Sequence, residues 1–355
     1  MKVRSYLREY AVEYCTGFAF LDSVSELENK FFIIDKKVYD LYAEKLKHVI
    51  KDNPCCVLEA VETNKNIESA LEIIEQMVEL KSKRNTNLVS VGGGIVQDVS
   101  GFIANILYRG IPWTWIPTTL LAQADSCIGS KTSLNYKHYK NLLGYFYPPD
   151  KIYINTQFVH TLDEQDYLSG LGEIVKCALM GGYESYVETA NNMEDLLNRK
   201  DEILTDEIMK ALAFKKKVIE IDEFDKGYRN IMNYGHTFGH ALESTSGYAI
   251  PHGQAVSFGM MIANEISEAR GYIPRQLKEE VYESIGRIVN KELLRLEYLK
   301  PGIYLEALRK DKKYMGNLHS CILWDGKGVG KYSDITDEEI ISACNHLEEN
   351  LHESE

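Results

Sequence analysis

Short apolar runs and amphipathic stretches alternate through the first 160 residues. The run F-F-I-I-D, Phe31–Asp35, holds no polar residue before its terminal acid. It predicts a strand buried on both faces, with Asp35 at its carboxyl end. Residues 36–50 have helical spacing, and Val57–Ala60 predict the next strand, followed by Glu62 and Lys65. Across residues 66–82, Ile67, Ala70, Leu71, Ile74, Met77 and Val78 fall on one helical stripe. A strand from Leu88 runs straight into Gly92-Gly93-Gly94, with a helix behind it. Residues 108–119 hold a proline-bounded strand ending at Thr118-Thr119, and K-I-Y-I-N from Lys151 gives another. Strands and helices in this order predict an α/β domain of the nucleotide-binding kind.

Near residue 160 the pattern turns mainly helical. Gly170–Met180 is an apolar helix with Glu173 and Lys176 on one face, and residues 203–221 form another with Lys215, Lys216 and Lys217. Ala255–Ala269 is apolar enough to be core, and residues 276–310 are helical. C-I-L-W-D-G-K-G-V-G-K reads as a hairpin, and the acidic tail H-L-E-E-N-L-H-E-S-E is expected to fray. The expected organisation is an α/β domain over residues 1–160 and a mainly helical domain over residues 161–355. A chain of 355 residues is too long for one typical core.

Composition narrows the partners. A formal net charge of −13 counts against nucleic acid, which needs phosphate-neutralising Lys and Arg. A local lysine cluster still leaves room for an anionic small molecule. No run approaches the ~18 apolar residues of a membrane span, and the charged N-terminus lacks a signal-peptide core. Seven cysteines without C-x-x-C read as reduced thiols of a cytoplasmic protein.

Three stretches carry candidate chemistry. Gly92-Gly93-Gly94 lets backbone amides approach a pyrophosphate at a helix N-terminus, although a tight turn explains it equally well. The polar segment Asp125–Asn141 reads as a loop, with Lys131 among Gly129, Ser130, Thr132 and Ser133 as an anion site and Lys140 beyond it. Asn233–Val256 holds His236 and His240 on one helical face, and His252 after a turn. Three imidazoles suit a borderline metal such as zinc, commonly completed by a carboxylate.

Together these motifs resemble the 3-dehydroquinate synthase family of the sugar-phosphate cyclases, collinearly from about Phe31 to about Gly330. The likeness rests on G-G-G-I-V-Q-D-V-S-G-F, R-G-I-P-W-T-W-I-P-T-T-L-L-A-Q-A-D-S, K-N-L-L-G-Y-F, G-E-I-V-K, N-Y-G-H-T-F-G-H-A-L-E and H-G-Q-A-V. It implies a Rossmann-like NAD-binding α/β domain followed by a mainly helical metal-binding domain. Zinc, or cobalt, would be held by Glu173, His236 and His252. NAD would lie against Asp35, Glu62, Lys65, Gly92, Gly93, Gly94, Asp98, Thr118, Thr119, Phe158 and Thr161, with Lys131 and Lys140 between cofactor and substrate. Asn141, Asn233, His240 and Lys313 match the phosphate-binding set. Lys215 and Arg229 match a pair near the substrate carboxylate, and Lys176 and Asp125 sit near the oxidised hydroxyl. Arg109 matches an arginine that reaches the neighbouring subunit's site, so a homodimer is implied. The implied substrate is 3-deoxy-arabino-heptulosonate 7-phosphate. Its transient oxidation, phosphate elimination, reduction and intramolecular aldol closure give 3-dehydroquinate.

Departures from the family pattern are Gln97 and Ser130 for glycines, Ser133 for another, Asn155 for Asp, Asp225 for Glu and Gln254 for Glu. They leave open a relative acting on sedoheptulose 7-phosphate or glucose 6-phosphate. Retention of His240, Asn233, Lys215 and Arg229 favours the acid-bearing substrate. An NAD- and metal-dependent polyol dehydrogenase would not need Lys131, Lys140, Asn141, Lys215 and Arg229 together, and a non-catalytic descendant would not need the metal residues.

Overall fold

Why the apolar runs become one sheet is visible in the order of the strands. The computed structural model describes residues 1–137, 139–310 and 318–352, with side chains through residue 350. It contains two units: Met1–Leu162 with Lys216–Phe224, and Asp163–Lys215 with Asp225–Glu355. The first unit holds β1 (Lys2–Arg4), β2 (Glu9–Tyr14), α1 (Phe20–Ser25), β3 (Lys30–Asp35), α2 (Lys36–Ile50), β4 (Cys55–Leu58), α3 (Ile67–Glu79), β5 (Asn87–Gly92), α4 (Gly94–Ile106), β6 (Trp113–Pro117), β7 (Lys131–Tyr136), β8 (Tyr139–Phe146) and β9 (Lys151–Ile154).

The main sheet runs β1-β2-β9-β6-β5-β3-β4. All its pairings are parallel except β1 with β2. β4 lies on one side of β3 and β5 on the other, so the chain reverses its progress across the sheet at β3. Ligands of open α/β sheets lie at the strand carboxyl ends beside such a reversal. On one face, Phe32, Ile34, Val89, Val91, Ile116 and Tyr153 of the strands pack with Phe20, Leu21 and Val24 of α1 and Val38, Leu46 and Val49 of α2.

Three expectations need correction. The fourth strand is Cys55–Leu58, not Val57–Ala60. In α3 the buried face is Ala70, Ile73 and Met77, while Leu71 and Val78 are about half exposed. The face that packs follows i, i+3, i+7, and the two exposed residues lie to its side. The polar segment read as a loop is a π-turn, Ala122–Ser126, followed by the antiparallel hairpin β7–β8. Thr132 and Leu134 turn inward from β7, a short alternation masked by polar neighbours. The last helix, Asp337–His352, buries Ile340, Ala343, Cys344 and Leu347 on one face and enters the acidic tail, whose residues 353–355 lie outside the described residues.

The second unit holds α5 (Glu164–Met180), α6 (Tyr183–Asn191), α7 (Met193–Leu197), most of α8 (Asp201–Ile221), α9 (His236–Thr245), α10 (His252–Ala269), α11 (Arg275–Gly286), α12 (Pro301–Lys310), the hairpin β10 (His319–Trp324) and β11 (Val329–Ile335), and α13 (Asp337–His352). α10 is buried from Gly253 to Ser267 and is the core of this unit. It touches α5 and α9 at glycines. A Cβ on Gly253 would meet the Ser169 carbonyl oxygen at 2.1 Å, and one on Gly259 the Gly235 oxygen at 2.0 Å. No helix among the described residues is long and apolar enough to cross a membrane.

Candidate active site

Three helices of the second unit each deliver one side chain to a common point. Glu173 sits in α5, His236 opens α9 and His252 opens α10. One ligand atom from each lies within 4.8 Å of the others. His236 Nε2 and Glu173 Oε1 are 4.0 Å apart, too far to hydrogen bond but spanned by two metal–ligand bonds of about 2 Å each. Glu173 is 1% exposed, and its Oε1 has no hydrogen-bond partner among the described residues. Its other oxygen pairs with Lys176, also buried. A buried carboxylate oxygen without a donor is costly, and a cation at this point would satisfy it. The residues therefore fit a divalent metal.

The surroundings orient the rings. His236 Nδ1 lies 3.1 Å from the Tyr234 carbonyl oxygen, which selects the Nδ1–H tautomer and leaves Nε2 toward Glu173. Burial, then Lys176 and the other two imidazoles, hold His236 well below the usual histidine range, so it is neutral and able to ligate. His252 Nδ1 lies 3.4 Å from Glu243 Oε2. Burial pulls His252 down, but the Glu243 hydrogen bond and charge outweigh it and the net direction is up. His240 is exposed, its ring 5.4 Å from that of His236 and 5.8 Å from that of His252. Glu243 was not among the sequence candidates. Its signal was there: it lies three residues after His240 and seven after His236, on the same helical face.

Lys215 on α8 and Arg229 on the turn Tyr228–Asn233 are both buried, and Asn233 closes that turn. Lys313 lies outside the described residues.

In the first unit, the residues expected around a dinucleotide follow the carboxyl ends of five parallel strands. Asp35 ends β3 and caps α2, accepting from Lys37 N at 2.9 Å; burial pushes its carboxyl up. Glu62 and Lys65 follow β4, Thr118 and Thr119 follow β6, and Phe158 and Thr161 follow β9. Gly92 ends β5, and Gly93 is an N-cap with no side-chain cap bond to α4. A Cβ on Gly94 would meet nothing within 4 Å. Open space over uncapped amides at a helix N-terminus fits a pyrophosphate. The Phe158 ring is 1% exposed, packed on Phe18 and Tyr42, so a ligand there would meet backbone.

Lys65 forms an ion pair with Asp98 and donates to Asn141 Oδ1 at 2.6 Å. Ser133 N donates to Asp98 Oδ1 at 2.9 Å, and Ser133 Oγ to Asn141 Oδ1 at 2.9 Å. Asn135 links Glu62, at 2.8 Å, to the Asn141 amide, at 2.9 Å. Asn141 thus joins the Lys65–Asp98 cluster. One outward face of the short strand β7 carries both Ser133 and Asn135. Lys131 and Lys140 are exposed on the hairpin, and Asp125 lies in the π-turn. Gln97 clamps that turn, donating to Ser126 O at 2.9 Å and accepting from Ser126 Oγ at 2.8 Å. Arg109 is exposed, in a left-handed run of Tyr108, Arg109 and Gly110 at φ 52°, 65° and 117°.

A switch-point α/β unit and a helical unit whose Glu173, His236 and His252 could hold a metal define a class of two-part proteins that includes both cyclases and dehydrogenases. The family models described as 3-dehydroquinate synthase N-terminal and C-terminal match residues 55–169 and 170–314. The 3-dehydroquinate synthase of Clostridium tetani is 36% identical over 318 residues, 88% of this chain and 84% of the relative. That of Thermoanaerobacter pseudethanolicus is 35% identical, covering 88% of each. The structure of 2-epi-5-epi-valiolone synthase from Streptomyces hygroscopicus, with NAD+ and Zn2+ bound, superposes with a TM-score of 0.87 at 26% identity, over 98% of this chain and 99% of the other. An iron-containing alcohol dehydrogenase from Thermotoga maritima shares the fold at TM-score 0.63 and 15% identity, over 95% and 97%. The chain belongs to the 3-dehydroquinate synthase family, and it is an enzyme, a cyclase that eliminates phosphate.

Proposed function

We propose that the substrate is 3-deoxy-arabino-heptulosonate 7-phosphate, that the product is 3-dehydroquinate, and that the enzyme works as a homodimer with NAD and zinc. The observation that carries the substrate reading is the pair of buried cations, Lys215 and Arg229, in a protein of net charge −13. Two buried cations suit a substrate with a carboxylate end. The alternative sugar phosphates offer none there. The metal reading is supported by Glu173 Oε1, which has no hydrogen-bond partner among the described residues and lies near the oriented His236 ring.

When bound, NAD supplies a reversible hydride acceptor, and the metal supplies a Lewis acid that lowers an alcohol's pKa. The protein's own groups position and neutralise. Glu173, His236 and His252 hold the metal, and Lys176, paired with Glu173, takes part in proton movement at the oxidised hydroxyl with Asp125. His240, Asn141, Asn233 and Lys313 hold the leaving phosphate. Lys131 and Lys140 neutralise charge between cofactor and substrate. Asp35, Glu62, Lys65, Gly92 to Gly94, Asp98, Thr118, Thr119, Phe158 and Thr161 seat the dinucleotide. Arg109 reaches the neighbouring subunit. Held groups lower barriers by orientation and preorganised charge, without covalent chemistry of their own.

The test is phosphate release from metal- and NAD-loaded protein offered 3-deoxy-arabino-heptulosonate 7-phosphate, sedoheptulose 7-phosphate and glucose 6-phosphate in parallel. Release from the first alone, without net NADH, is the expected result. Release only from a neutral-ended sugar phosphate would overturn the substrate reading.

A further inference from the structure

Ser130 is buried and sits at φ 65°, in the left-handed region that disfavours a residue with a Cβ. The strained residue is held at several points. Its carbonyl accepts from Tyr147 N at 2.7 Å, and Gly129 N before it donates to the Tyr10 hydroxyl at 3.2 Å. Its own hydroxyl donates to Glu223 Oε1 at 2.8 Å. Glu223 lies just past α8, in the segment Lys216–Phe224 of the first unit. The same carboxylate accepts from Ser5 Oγ at 2.5 Å and from Tyr6 N at 2.7 Å. Phe224 beside it packs edge-on against Tyr6 and Phe146, with ring centroids 5.9 and 5.1 Å away. Phe146 is the register partner of Lys131 across the hairpin. One carboxylate therefore ties the N-terminal turn, the segment after α8 and the entry to β7, and the first residue of β7 is Lys131.

We propose that Ser130 and Glu223 are positioning residues that aim Lys131 at its anionic ligand. Lys131 is exposed, so burial does not fix its long side chain, and its direction starts from the backbone that carries it. A left-handed residue immediately before a strand sets the angle at which that strand begins. Strain of this kind persists only where the surroundings over-determine it. Here a glycine would remove the strain, and the serine retains it together with a hydroxyl bonded to Glu223. The proposal rests on the role given to Lys131 above.

Four proteins test it: the wild-type enzyme, Ser130→Gly, Lys131→Ala and the double variant. Ser130→Gly loses the hydroxyl bond and also loses the backbone strain. The two changes offset, so its Tm stays within about 2 °C of wild type. Its KM for the sugar phosphate rises about 10-fold, within the range that misplacing a group brings. Bound metal per chain stays the same. In the Lys131→Ala background, Ser130→Gly has no further effect on KM or kcat, because there is nothing left to aim. Ser130→Gly kinetics within twofold of wild type, while Lys131→Ala is impaired, would overturn the proposal. So would a Ser130→Gly loss that persists undiminished in the Lys131→Ala background, since the brace would then be purely structural. Lys131→Ala with wild-type kinetics would instead remove the role of Lys131 itself, and the proposal with it, through a separate measurement.

Discussion

In the first unit Lys65 answers both Asp98 and Asn141, Ser133 bridges the same two, and Asn135 joins Glu62 to them. These charges find partners inside the protein. In the second unit Glu173 keeps a buried oxygen without a donor among the described residues, 4.0 Å from an imidazole nitrogen. The first cluster is satisfied by the protein's own groups. The second is complete only around a cation. The difference teaches where damage should appear: stability for the self-satisfied cluster, metal affinity and turnover for the open one.

The largest expected effect tests the open cluster. His236→Ala should lower metal affinity by more than about 100-fold, beyond what loss of an outer partner brings, and phosphate release should fall to background. Bound metal retained after exhaustive dialysis of the variant would break the contrast. Next comes the closed cluster. Lys65→Met leaves Asp98 covered without its cation, and should cost about 3 kcal/mol of stability in urea unfolding while metal content stays at wild-type level. An unchanged unfolding midpoint would show that Asp98 does not depend on Lys65.

Glu243→Gln sharpens the comparison from the outer side of the metal cluster. It keeps the size of the side chain but weakens the grip on His252 Nδ1, and metal affinity measured against a competing chelator should fall about 10- to 100-fold. The smallest effect concerns acid. Burial pushes the Asp98 carboxyl above its usual value of 3.8, with Lys65 pulling the other way. The folded state then holds this proton at a pH where the unfolded chain has released it. The group therefore adds stability as pH falls from above its folded pKa toward 3.8, and that contribution is lost as pH rises through the folded pKa. Asp98→Asn should remove this slope from a plot of Tm against pH, and a wild-type plot sloping the opposite way relative to the variant would contradict it.

How legible these clusters were depended on how local their signals are. The strand Phe31–Asp35 and the Leu88–Gly94 strand-to-turn passage are written in consecutive residues, and both stand where the pattern puts them. Three candidate ligands on three helices are distant in sequence, and the visible i, i+4 spacing joins His236 to His240, which is not one of the three. The hairpin after Lys131 was hidden because two buried residues, Thr132 and Leu134, are all the inward face it shows. The strands β1 and β2 gave no signal, because charged residues interrupt their alternation. Gln97 and Ser130 stand out in the sequence only as departures. Their hydrogen bonds to Ser126 and Glu223 depend on tertiary packing that no local pattern encodes.

The glycine contacts of α10 have a consequence for how this enzyme can change. Gly253 is the residue after His252, and Gly235 is the residue before His236. A methyl group on Gly253 would fall 2.1 Å from a carbonyl oxygen of α5, and one on Gly235 would fall 2.7 Å from the Val256 oxygen of α10. Such a methyl would move a candidate metal ligand along with the backbone. Mutational drift that keeps activity is thus steered away from the residues flanking the ligands. Gly286 and Gly302, where an added Cβ would meet nothing within 4 Å, carry no such constraint.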